Sequence, residues 1–164
     1  MQSSHTLDRI VTSFDDGHLV GGAGLLLPAT LAQHLGLQEL FDQHVSLGAN
    51  PGCAHVGAKA LTLILSALAG GDCIDDADAL RRGGTAAVLG HAVPAPSPLG
   101  TYLRSFSFGH ARQLDLVSRE ALRRAWAAGA GPGKAPFTID LDSTICRTYG
   151  LKKQGGTRFT YTHV

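Results

Sequence analysis

Apolar residues recur at helical spacing through most of this chain and switch to strict alternation only near its end. Across residues 25–45, Leu31, Leu35 and Phe41, with Leu37 and Leu40, mark one face of a helix, and Pro28 suits its first turn. Residues 48–52, rich in Gly and Pro, form a turn. The stretch 55–69 is apolar on most sides, which predicts a buried helix ended by Gly70 and Gly71. Residues 72–82 and 86–91 predict two short helical pieces. Pro94, Pro96 and Pro98 form a stiff connector, with Ser97 as N-cap and Pro98 in the first turn of a helix through Phe106.

The clearest helix spans 110–128. Leu114, Val117, Ala121 and Ala125 share a face, Arg112, Arg119, Arg123 and Arg124 lie among the remainder, and Trp126 is expected in the core beside Leu122. Residues 1–24 read as an irregular or strand-like lead-in. Residues 137–146 then alternate: Asp140, Asp142 and Thr144 share one face of a predicted strand, while Ile139, Leu141 and Ile145 share the other. A second strand is predicted over 158–164. The expected organisation is a mainly α region over residues 1–132, followed from 133 to 164 by the first β-strands of an α/β domain.

Composition narrows the setting. Hydrophobic residues reach 44%, enough for a core, and the formal net charge of +1 gives no bulk argument for or against nucleic acid. Basic residues do concentrate toward the C-terminal half. The three cysteines, Cys53, Cys73 and Cys146, form no CxxC pair, which argues against a disulfide scaffold and for a reducing compartment. The acids Asp72, Asp75, Asp76 and Asp78 suit a helix N-terminus. The N-terminus lacks a signal-peptide pattern, and the apolar run over 60–70 falls short of the roughly 20 residues that span a bilayer. The expectation is a soluble cytoplasmic protein without membrane contact.

Two carboxylates on one strand face are a way to hold Mg²⁺ or Mn²⁺ through hard oxygen ligands. The run Ile139-Asp140-Leu141-Asp142-Ser143-Thr144, with Thr148-Tyr149-Gly150 after it, resembles the first catalytic strand of DDE transposases of bacterial insertion sequences. Gly71-Asp72-Cys73-Ile74-Asp75-Asp76, Pro98-Leu99-Gly100-Thr101-Tyr102-Leu103-Arg104-Ser105-Phe106 and Phe108-Gly109-His110-Ala111-Arg112-Gln113-Leu114-Asp115 resemble the N-terminal region of the same family.

The resemblance implies a helical DNA-binding and dimerisation region before an RNase H-like catalytic domain. It also implies metal-dependent cleavage and transfer of DNA strands at transposon ends, and a homodimer in the intact enzyme. Asp142 would be the first triad member and a metal ligand, and Asp140 a supporting carboxylate. Arg112, Arg119, Arg123 and Arg124 are the candidate DNA contacts. The 22 residues after Asp142 contain no acid, so the triad's later Asp and Glu are missing. The expectation is therefore a truncated, inactive N-terminal part of the enzyme. Two alternatives use the same residues. One is a haloacid-dehalogenase-type phosphatase with Asp140 as nucleophile and Asp142 as general acid; the other is a non-catalytic DNA-binding remnant.

Overall fold

A computed structural model describes residues 15–16, 20–49 and 52–141, and every regular element among them is a helix. A short 3-10 turn, Ala23–Leu25, leads into α1 (Leu26–His34) and α2 (Leu37–His44). After a loop come α3 (Val56–Leu68), a 3-10 helix over Ile74–Arg81 and the single turn α4 (Thr85–Val88). Helices α5 (Pro96–Arg104) and α6 (Phe108–Ala125) follow, and α6 runs on through a widened turn, Trp126–Ala130, where Gly129 takes φ 96° and ends it.

The helix expected over 25–45 is broken in two at Gly36, whose φ of 62° lies in the left-handed region that glycine adopts without penalty. The break lets α2 turn back across α3. There Gly57 is the close-approach position: a Cβ on it would run into the Gln38 carbonyl oxygen and sit 2.7 Å from Gln38 Cγ. Asp42 of α2 accepts a 2.8 Å hydrogen bond from the Gly57 N–H, satisfying one of the donors that a helix N-terminus leaves unpaired.

Helix α3 is the axis of the fold, with most of its residues buried. On one side Val56 and Ala60 pack with Leu40, Val45, Leu47, Tyr102 and Val117, so α2, α5 and α6 share this core. On the other side Leu65 packs with Leu25, Ala29, Leu80 and Leu89 from α1, the 3-10 helix and the end of α4. The α5 start is shifted from the expected one: Ala95 is the N-cap and Pro96 the first helical residue, where the missing N–H is harmless.

The predicted β-strands are the main correction. Residues 137–141 are irregular and exposed, with Leu141 at 90%. No strand occurs among the described residues, so the α/β fold class does not hold for them: they form a helical assembly. Alternation alone did not make a strand here, because a strand's backbone groups need a neighbouring strand, and the described residues supply none. The remainder of the first predicted strand (142–146) and all of the second (158–164) lie outside the described residues. Trp126 is also corrected. It is 46% exposed rather than in the core, and packs edge-on against Phe137 with ring centroids 6.3 Å apart.

Candidate nucleic-acid interface

Helix α6 begins at Ser107, which caps it together with His110. The Ser107 N–H donates to His110 Nδ1 at 2.9 Å, so that nitrogen carries the lone pair. Leu114, Val117 and Ala121 turn inward to the core, and Gln113 Oε1 accepts from the Ser46 N–H at 2.9 Å, fixing the helix against the end of α2. The opposite side faces solvent. It carries Arg112, Arg119 and Arg123 at spacings of seven and four, which bring all three to one stripe.

The four candidate arginines divide into two kinds. Arg112 and Arg119 are exposed and make no ion pair or hydrogen bond among the described residues. Arg123 is held by Glu120 in a two-pronged pair, Nε to Oε2 at 2.8 Å and Nη2 to Oε1 at 2.7 Å. Arg124 faces inward. Its Nη1 donates to the Leu35 carbonyl at 2.7 Å and its Nε to Glu120 at 3.2 Å, so it closes the C-terminal end of α1. Hydrogen bonds from Arg123 and Arg124 hold the Glu120 carboxyl down at about 2, and the same pairing raises the Arg123 guanidinium. Arg124 is thereby committed to the fold, while Arg112 and Arg119 remain free for a ligand.

Of the two acidic candidates, only Asp140 lies among the described residues. Asp140 is exposed on the irregular segment after α6, and among the described residues it joins no group of three ligands able to hold a metal ion. Asp142 lies outside the described residues. Among the described residues Asp140 alone offers too few oxygen ligands to hold Mg²⁺ or Mn²⁺, and no metal-dependent step is derived from it.

Asp72, Cys73 and Asp76 do come together, at the surface. Asp76 Oδ2 accepts from the Asp72 N–H, the Cys73 N–H and the Cys73 thiol at 3.0, 3.0 and 3.1 Å. These bonds, the thiol's first, lower the Asp76 carboxyl below its ordinary value. The cluster caps the 3-10 helix, and its geometry is accounted for by that role.

Two polar groups, buried Lys59 and half-buried His91, are not marked as partners of the core by the sequence pattern. Lys59, inside the apolar run of α3, is 6% exposed, and its Nζ donates to the Gly52 and Ala54 carbonyls at 2.5 and 2.6 Å. The same ammonium sits 6.0 Å from the Tyr102 ring centroid. His91 lies in a cavity of about 190 Å³ lined also by Gln33, Gln38 and Glu39. Its Nδ1 is 3.2 Å from the Leu89 carbonyl and its Nε2 3.2 Å from Thr62 Oγ1. The carbonyl can only accept, so the Leu89 contact requires the proton on Nδ1, and the direction of the Thr62 contact at Nε2 follows from the tautomer. The Ala58 carbonyl, 2.8 Å from the Thr62 hydroxyl, competes for the hydroxyl proton. Burial pushes His91 below its ordinary value. A lone Lys in an apolar helix was the one visible signal for the first group; nothing local marked the second.

An apolar groove of about 410 Å³ runs between α3, α5 and α6, lined by Leu63, Ile64, Leu103, Phe106 and Leu114. No helix among the described residues is long and apolar enough to cross a membrane. Compared with protein-family models, with curated proteins and with solved structures, the chain matches none.

Proposed function

We propose that this chain is a DNA-binding helical module of transposase type, which docks on duplex DNA through the outward face of α6. The observation that carries the reading is the pair of exposed, unpartnered guanidinium groups, Arg112 and Arg119, two helical turns or about 10.5 Å apart along the axis. Arg123 extends the stripe by one more turn. Arginine neutralises phosphates and releases counterions, which supplies most of the sequence-independent affinity for DNA. Motif likeness in the segments around Asp72, Leu99 and Phe108 points to transposon ends as the DNA, and Asp142 is the position through which Mg²⁺- or Mn²⁺-dependent strand transfer would run in an intact enzyme of that kind.

Fluorescence anisotropy tests the reading, with duplexes cut from the DNA flanking the protein's own coding sequence set against a generic duplex. Binding should weaken steeply with salt and favour the flanking DNA. Arg112→Gln and Arg119→Gln should each reduce the slope of log affinity against log salt by about one, whereas Arg124→Gln should leave that slope unchanged. Absent or salt-independent binding would sink the proposal.

A further inference from the structure

The outward face of α6 carries a heptad-type seam that stays largely exposed, with Trp126 alone of its members touching another ring among the described residues, that of Phe137. Phe108, Arg112, Asp115, Arg119, Leu122 and Trp126 follow one another at alternating spacings of four and three, the spacing of a helix–helix contact line. Phe108, Leu122 and Trp126 are 57, 53 and 46% exposed, an unusual run of large apolar side chains for a solvent-facing stripe. Asp115 stands four residues before Arg119 but does not pair with it within the helix, and Asp115, Arg112 and Arg119 are all without an ion-pair partner among the described residues.

We infer that α6 pairs with α6 of a second copy, antiparallel, about a two-fold axis near Val117. The seam is self-complementary along its whole length in that register. Asp115 of each copy faces Arg119 of the other, giving two opposite-charge layers at the centre. Outside these, the aliphatic stem of each Arg112 covers the other copy's Leu122, as long cationic side chains cover apolar surface while keeping the charge in water. At both ends Phe108 meets Trp126, an aromatic pair. Residue i touching j and j touching i is what a two-fold interface requires.

Charge disfavours the parallel arrangement, and loss of apolar cover disfavours the slipped ones. Parallel pairing sets Arg112 on Arg112, Asp115 on Asp115 and Arg119 on Arg119, three like-charge layers. Slipping the antiparallel pair by one heptad places Asp115 against Trp126 and Arg119 against Leu122 in one direction; in the other it pairs Arg112 with Asp115 and Arg119 with Phe108 but leaves Leu122 and Trp126 uncovered. Like-charge layers and uncovered apolar side chains thus disfavour the alternatives by what they cost.

The inference stands on the seam and does not require the DNA reading. Because pairing covers Arg112 and Arg119, the paired and DNA-bound states exclude each other, and self-association withholds the cationic stripe until DNA competes for it.

Sedimentation velocity of the full chain over a wide concentration range is the test. A reversible monomer–dimer equilibrium is expected, and a chain that stays monomeric throughout overturns the inference. Asp115→Arg should raise the dissociation constant about tenfold or more, with the helical circular dichroism unchanged because Asp115 is exposed. The double exchange Asp115→Arg with Arg119→Asp should restore pairing, since the opposite charges again face each other in the antiparallel register alone. An unaffected single variant, or a double variant that stays dissociated, refutes the arrangement. The two proposals separate in the same experiment. Asp115→Arg adds positive charge to the stripe, so it should weaken the dimer while strengthening DNA binding. A dimer that forms without any DNA affinity leaves this inference standing and the DNA reading fallen; a monomer that binds DNA does the reverse.

Discussion

Replacing Lys59 by Met tests the least expected feature of the core. The ammonium sits at the fourth residue of α3, near the end where the helix dipole disfavours a cation, and it is nonetheless 6% exposed. Its partners are two backbone carbonyls, Gly52 and Ala54, at 2.5 and 2.6 Å, which fasten the loop before α3 to the helix. Hydrogen bonds to a charged group contribute about 1.5–3 kcal/mol each, and a carbonyl left buried without a donor costs a similar amount. Against this stands the cost of holding the ammonium out of water, several kcal/mol, which Met would remove. Two short charged bonds outweigh that gain; the carbonyls of half-buried Gly52 and exposed Ala54 can turn to water once freed and add little. Lys59→Met should therefore lose about 2–4 kcal/mol. At about 2–4 °C per kcal/mol for a chain of this size, that is a fall in Tm of about 10 °C. Urea denaturation followed by far-ultraviolet circular dichroism measures it, with exposed Lys134→Met as the control expected within about 0.5 kcal/mol of the parent. A loss below about 1 kcal/mol would show that desolvation cancels the two bonds and that the loop is held by apolar packing alone.

Two further outcomes follow from the same packing. Gly57→Ala should destabilise by about 1–3 kcal/mol in the same denaturation assay, because its Cβ meets the Gln38 backbone and lies 2.9 Å from Asp42 Oδ2, so α2 must move away from α3; a neutral result would show that the two helices separate freely. His91 should make stability fall with acidification. Its native value lies below the ordinary 6.5, so the unfolded chain binds the proton first: the native state is favoured above that pH and loses the advantage as pH falls through the ordinary value toward the depressed one. His91→Gln should flatten that part of the pH–stability curve relative to the parent; an identical slope in both would refute the assignment.

Local bonding explains why the helices were legible. An α-helix closes its hydrogen bonds four residues away, so its existence and inward face can be read from spacing, as Leu114, Val117 and Ala121 show in α6. The acidic N-terminus of the 3-10 helix is likewise a matter of adjacent residues, with Asp76 capping Cys73. What depended on distant partners was not legible. Alternation through Phe137, Ile139 and Leu141 describes a side-chain pattern, but a strand also needs a neighbour for its backbone, and the described residues offer none.

The candidate site divides along the same line. That α6 would carry cations away from its apolar face follows from the order of residues alone. Which of those cations are free was decided in three dimensions. Arg124 is taken up by the Leu35 carbonyl of a segment 89 residues earlier, while Arg112 and Arg119 make no ion pair or hydrogen bond among the described residues. Gly36 turned one expected helix into two, and Lys59 and His91 acquired their partners only when the loop and α4 closed over α3. The sequence by itself determined where helices form and which faces they bury, because those depend on neighbours in the chain. Tertiary structure decided which charges are spent inside the fold and which stay available, because that depends on groups brought together across it.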